Sequence, residues 1–287
     1  MRNYLKLMRV KHYMKNILIF SVIIFSGNFF NSTMLLTNII NFISFSLICS
    51  IVYIINDICD IEKDKKHEIK KNRPLASGVI KISNAYLFIG FLFVLSSAIN
   101  FIPILFNNNY SLLYSYICLY GYLLINILYS IKLKNVPIVD IFILTLGFII
   151  RVVYGSVSIG IYISNWLYLT VLSVSFYASL GKRRNEYIKN GHNSREVLKY
   201  YNKEYLDKFM NTFLTSSIVF YSLWTNSMNS IWFLISCVFV IFILMRYSLI
   251  VEGDSYGDPV DVVVGDKILL LSIIVYGFYM GVILYGI

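Results

Sequence analysis

The sequence predicts an all-α polytopic membrane protein, with about nine transmembrane helices arranged around a central cavity open to the cytosol. Three observations carry that expectation. Hydrophobic residues make up 58% of the 287-residue chain, against roughly 45–50% in soluble domains, and the mean hydropathy is +0.70, which excludes an ordinary water-soluble fold. The apolar runs follow one another with short connections, so residues 1–287 read as a single transmembrane domain with no room for a separate soluble one. Lysine and arginine gather before the first run and in alternate connections, the pattern of cytoplasmic loops.

In chain order, the expected spans are 16–30, 34–55, 83–106, 112–129, 136–159, 166–180, 209–224, 231–250 and 268–285. Several fall short of the ~20 residues of an untilted span, so their ends are loosely fixed. Connections 31–33, 107–111 and 225–230 hold no charged residue, whereas loops 56–82, 130–135, 181–208 and 251–267 carry most of the charge. These charged loops are expected to form the active-site side. The same asymmetry puts the amino terminus in the cytoplasm and the carboxyl terminus outside. The four cysteines show no C-x-x-C spacing, which points to neither a disulfide framework nor a zinc site.

The polar stretch 56–81, NDICDIEKDKKHEIKKNRPLASGVIK, organises the chain. It begins where an apolar run ends, at the depth where a soluble reactant meets a lipid. On a helix Asp57, Asp60 and Asp64 lie at i, i+3 and i+7, within roughly 60° of one another. Three like charges on one face repel unless a cation sits among them, and hard oxygen ligands suit a phosphate-bound Mg²⁺. A solvated juxtamembrane loop that merely contains acids is the alternative.

NDICDIEKD resembles the first aspartate-rich motif, N-D-x-x-D-x-x-x-D, of the UbiA superfamily of intramembrane prenyltransferases. The continuation KDKKHEIKKNRPLASGVI is similar to the D-x-x-H-x-x-K-x-x-R-P-x-A-S/A-G segment of one branch, the decaprenyl-phosphate phosphoribosyltransferases. Further matches fall along the chain. RVKHYMKN retains Arg9, Lys15 and Asn16 of that branch's R-P-x-Q-W-V-K-N entry, and Lys15 is the candidate for touching a phosphate. The first fifteen residues also fit a helix lying in the interface, or a plain orientation signal. Arg73 is a candidate phosphate fork, although a lone arginine there also serves topology. YSIKLKNVPIVD resembles Y-S-x-K-L-K-x-V-P-x-x-D, with Tyr129, Lys132, Lys134 and Asp140 in place. Asp140 and Arg151 are eleven residues apart, about 20° in rotation and roughly 16 Å along a helix, so they share a face. An arginine so deep must point inward, and structural pairing and substrate contact both satisfy it.

GKRRNEY resembles G-K-R-x-x-E of the same branch. Lys182, Arg183, Arg184 and Glu186 stand where aromatic-acceptor prenyltransferases carry a second aspartate motif, which exchanges metal ligands for anion clamps. The rest of that loop, to Lys208, reads as an amphipathic surface helix. In the last loop Asp258 and Asp261 are expected to meet the basic loops or cap the final span.

The resemblance implies an Mg²⁺-dependent enzyme that moves 5-phosphoribose from phosphoribosyl pyrophosphate to a polyprenyl phosphate in the membrane. Asp57, Asp60 and Lys134 are the implied catalytic residues, with Asp57, Asp60 and Asp64 as metal ligands. Lys15, Asn56, Arg73, Tyr129, Lys132, Asp140, Arg151, Lys182, Arg183 and Glu186 are the implied substrate contacts. No nucleic acid is expected as a partner. The other reading is transfer of an isoprenyl group to an aromatic acceptor.

Overall fold

A computed structural model describes residues 2–66, 68, 70–108, 110–191, 195–253 and 257–286. They form helices and turns, and no strand occurs among the described residues. Among the described residues, six helices are long and apolar enough to cross a bilayer. The chain divides into two compact units, Met1–Leu133 with Ile150–Tyr162, and Lys134–Ile149 with Ile163–Ile287.

The first unit holds α1 (Arg2–Met8), a 3-10 segment Val10–Phe20, α2 (Ser21–Phe25), α3 (Ser32–Cys59), α4 (Ile61–Lys65), α5 (Ile82–Phe101), α6 (Leu112–Ile131) and the later part of α7 (Val139–Ile159). Helix α3 is the inner element. Its most apolar stretch is 67% buried, against 22% for the span starting with α5 and 17% for α6, whose Leu87, Val94, Leu113 and Leu124 remain exposed. Among apolar neighbours helices gain little from hydrophobic burial, so small side chains and interhelical hydrogen bonds hold them together. Ser44 on α3 donates to the Ser96 carbonyl on α5 at 2.9 Å, and Ser96 returns the bond to the Ser44 carbonyl at 2.9 Å.

The expected first span, 16–30, is not one α-helix. The chain runs as a 3-10 segment and then the short α2, because backbone and side-chain groups here bond outward to α3. Asn16 donates to Ser46 Oγ at 2.8 Å, and the Ile19 carbonyl faces Asn38 Nδ2 at 3.5 Å. The same carbonyl lies against Gly155 of α7, where a built Cβ would stand 2.0 Å away. Only glycine allows that approach.

The second unit holds the start of α7, α8 (Asn165–Asn190), a 3-10 turn Glu196–Tyr200, α9 (Lys203–Ser227), α10 (Ile231–Glu252), α11 (Pro259–Gly265) and α12 (Lys267–Tyr285). Helices α8, α9 and α12 start on side-chain caps that satisfy otherwise orphaned N–H groups. Ser164 accepts from Leu167 N, Asn202 from Tyr205 N, and Asp266 from Leu269 N. Among the described residues of the stretch expected to form a surface helix up to Lys208, Glu196–Tyr200 make a 3-10 turn and Lys203 to Lys208 open α9. Val197 and Leu198 are fully buried in the short 3-10 turn, which ties this connection into the core instead of leaving it on the surface.

Candidate active site

In the first unit the acidic residues cluster where α3 ends. Asp60 has left helical geometry (φ −102°, ψ 7°), so the i, i+3, i+7 face is broken rather than continuous. Asp57 and Asp64 nevertheless converge, because Arg73 reaches back from the following turn. Its Nη1 lies 3.1 Å from Asp57 Oδ1 and 2.6 Å from Asp64 Oδ2. Both carboxylates are nearly fully buried, at 3% and 4% exposure. Arg9 donates a second charged hydrogen bond to Asp57 and lies over the Tyr53 ring, 4.9 Å from its centroid. Asn56 accepts the Asp60 N–H on its carbonyl at 3.0 Å, in the last turn of α3.

Two buried carboxylates that already share one cationic nitrogen can share a divalent cation, and their hard oxygens match Mg²⁺. No group of three or more His, Cys, Asp or Glu side chains is gathered for metal binding among the described residues. The donor set therefore fits an ion that takes one or two carboxylates and completes its shell with water and substrate phosphate.

In the same unit, Arg151 is as buried as these acids, at 4% exposure. Its Nε donates to Asn16 Oδ1 at 2.7 Å and its Nη2 to Tyr122 OH at 3.1 Å, with Cys49 Sγ at 3.4 Å. The guanidinium also lies over the Phe45 and Tyr122 rings, 5.2 and 5.0 Å from their centroids. Neutral oxygens and ring faces thus surround a buried cation, as the inward-pointing expectation required. Lys15, Tyr129 and Lys132 belong to this unit as well, Lys15 and Tyr129 half-buried and Lys132 exposed.

The second unit carries a separate ionic network. Asp140, in the first turn of α7, accepts from Arg183 Nε on α8 at 2.5 Å and from Tyr201 OH at 2.6 Å. Arg183 is fully enclosed and its Nη1 also reaches Glu186 Oε2 at 2.6 Å. Arg195 joins the same oxygen at 3.1 Å. Arg183 and Asp140, expected to contact substrate, are therefore engaged with each other inside the protein, and burying either charge unpaired would cost several kcal/mol. Although burial alone raises it, the Glu186 carboxyl is held down to about 2 by Arg183, Arg195 and Lys182. Lys182 keeps partial exposure, with Nζ 3.8 Å from Asp258 Oδ2. Burial draws its ammonium below the ordinary value, against the pull of Asp258. Asp258 thus meets the basic loop as expected, but it caps the short α11, accepting from Val260 N at 3.1 Å, while the final span α12 is capped by Asp266. Lys134 is half-buried in this unit.

Sequence reasoning missed Arg9, Asn16, Tyr122 and Tyr201 as partners of the expected residues. Arg9 and Asn16 did carry a signal, since both survive in RVKHYMKN. Of the three histidines, His67 and His192 lie outside the described residues.

Buried acids and cations among membrane-spanning helices define a class, the multi-pass membrane protein with buried ionic clusters. A profile of the UbiA prenyltransferase family matches residues 17–264, and the chain belongs to that family. It is 28% identical over 286 residues to the decaprenyl-phosphate phosphoribosyltransferase of Corynebacterium glutamicum, covering 96% of this chain and 84% of that protein. A Mycobacterium tuberculosis protein of the same name is 30% identical over 236 residues, covering 80% and 76%. Among solved structures, a UbiA homologue from Archaeoglobus fulgidus bound to DMAPP and Mg²⁺ superposes with a TM-score of 0.74 at 16% identity, covering 99% of each chain. A digeranylgeranylglyceryl phosphate synthase gives 0.69 at 21% identity, covering 100% of this chain and 99% of that one. These two likenesses concern the fold.

Proposed function

We propose that this protein transfers 5-phosphoribose from phosphoribosyl pyrophosphate to the phosphate of a polyprenyl phosphate, releasing pyrophosphate, at the cytoplasmic face of the plasma membrane. The observation that carries this reading is the similarity to the named phosphoribosyltransferases over 96% of the chain. Cations also stand at 182–184, where the aromatic-acceptor reading needs a second aspartate pair.

Asp57 and Asp64, with Asp60 beside them, would hold Mg²⁺, whose part is to neutralise the departing pyrophosphate. Arg73, already placed against both carboxylates, is positioned to follow the pyrophosphate charge. Lys15, Lys132, Lys134 and Lys182 would supply point charges for substrate phosphate groups, while Arg183 keeps Asp140 and Glu186 in place. An acceptor phosphate oxygen forms the new bond to the anomeric carbon as the bond to pyrophosphate breaks, passing through an oxocarbenium-like centre with inversion. That oxygen is already anionic, so the step needs no strong base. Arg151, Asn16 and Tyr122 order the interior beneath the acid cluster.

The test is a choice of donors. Purified protein in detergent with Mg²⁺ and polyprenyl phosphate should release pyrophosphate from phosphoribosyl pyrophosphate. Release only from a prenyl diphosphate in the presence of an aromatic acceptor would overturn the reading in favour of prenyl transfer.

A further inference from the structure

The amino-terminal segment carries a basic groove that the transfer step, as described, leaves unused. Arg2, Lys6, Arg9 and Lys11, with Leu5 and Val10, line a shallow cavity of about 520 Å³. No acidic side chain is among its lining residues. Apolar side chains stand beside the cations in the open, with Leu5 50% and Val10 44% exposed. A groove lined by both cations and exposed aliphatic groups matches a lipid phosphate better than a free anion.

Arg9 belongs to two sites at once. It lines the groove, and its guanidinium is bonded to Asp57. Its backbone is left-handed (φ 53°, ψ 49°) at the junction of α1 with the 3-10 segment, a conformation that costs a non-glycine residue of order 1 kcal/mol or more. The flanks hold it there, Leu7 being fully buried and the Met8 carbonyl accepting from Ser50 Oγ at 3.0 Å. While Arg9 and Arg73 both occupy Asp57, a divalent cation must displace positive charge to reach that carboxylate. A phosphate offers Arg9 a stronger, bidentate partner.

We propose that the groove receives the phosphate headgroup of the polyprenyl acceptor, and that Arg9 exchanges Asp57 for that phosphate, so acceptor lipid and divalent cation bind with positive coupling. The proposal rests on the phosphoribosyl-transfer reading for the identity of the lipid. By linkage the coupling is reciprocal, so each ligand tightens the other by the same factor, about tenfold for a typical pair of sites.

The experiment measures Mn²⁺ binding to the full-length protein in detergent by electron paramagnetic resonance, with no donor present and with Mn²⁺ binding to each additive alone subtracted. Farnesyl phosphate should tighten Mn²⁺ binding about tenfold, whereas phosphatidylglycerol and inorganic phosphate should not. Arg9→Gln should bind Mn²⁺ without lipid as tightly as the wild type does with it, and should lose the coupling. Lys6→Ala/Lys11→Ala should weaken farnesyl phosphate binding several-fold and leave lipid-free Mn²⁺ affinity unchanged. Equal Mn²⁺ affinity with and without farnesyl phosphate would overturn the proposal, as would an equal effect of phosphatidylglycerol or unaltered lipid affinity in the double variant. Transfer assays on the same preparation separate the two readings, because turnover without coupling removes the groove alone and coupling without turnover removes the transfer reaction.

Discussion

Asp57 has two arginines on one buried carboxylate, and substitution there tests the acid cluster most sharply. Asp57→Asn keeps the shape and removes the charge. It should lower turnover by roughly a hundredfold or more while the detergent-solubilised protein keeps its melting temperature within a few degrees. Lys134→Ala should lose a comparable amount of turnover, read in the same pyrophosphate-release assay, and wild-type rates in both variants would remove the site assignment. The nearness of Asp57 to Asp64 was legible from spacing, but their partners were not. Arg9 lies 48 positions from Asp57, and Asn16 lies 135 from Arg151. A periodicity within one helix says which residues share a face, and nothing about what arrives from a distant segment to meet them.

At the scale of the element, the contact of α7 with the 3-10 segment is set by one missing side chain. Gly155→Ala would drive a methyl group into the Ile19 carbonyl, at a cost of about 1–3 kcal/mol, and should lower the melting temperature in a thermal-unfolding scan. Gly90→Ala on α5 is the matched control, since its Cβ would meet nothing within 4 Å. It should be neutral or slightly stabilising through helix propensity. A second local prediction concerns Ile138, whose backbone is left-handed at φ 68° and whose N–H donates to Tyr201 OH at 2.6 Å. Tyr201→Phe removes that acceptor and a donor to Asp140 together, and should cost about 1–3 kcal/mol in the same scan. Helix positions within most of the expected spans could be read from apolar runs of sufficient length. The 3-10 course of 10–20 could not, because it is fixed by groups on α3 and α7 that lie far away in sequence.

Over the whole molecule, buried charge governs the pH response. Glu186 is depressed from 4.5 to about 2, so its contribution is present above the unfolded value and is lost as pH falls from about 4.5 toward 2. The contribution at neutral pH is at most about 3 kcal/mol. The melting-temperature gap between wild type and Glu186→Gln should therefore be widest near pH 6 and close toward pH 3, whereas a constant gap would locate the stabilisation elsewhere. Family and membrane character were legible because composition and four motifs spread along the chain report on the entire sequence. The engagement of Arg183 with two carboxylates was hidden, since a basic loop motif looks the same whether its cations face a ligand or the protein's own acids. The central claim, phosphoribosyl transfer to a lipid phosphate, is tested most directly by following which part of the donor enters the lipid. With phosphoribosyl pyrophosphate labelled in the ribose, label should pass into the organic phase with polyprenyl phosphate, and with the terminal phosphate labelled it should stay in water. Terminal-phosphate label in the lipid, or none from either donor, would contradict the account.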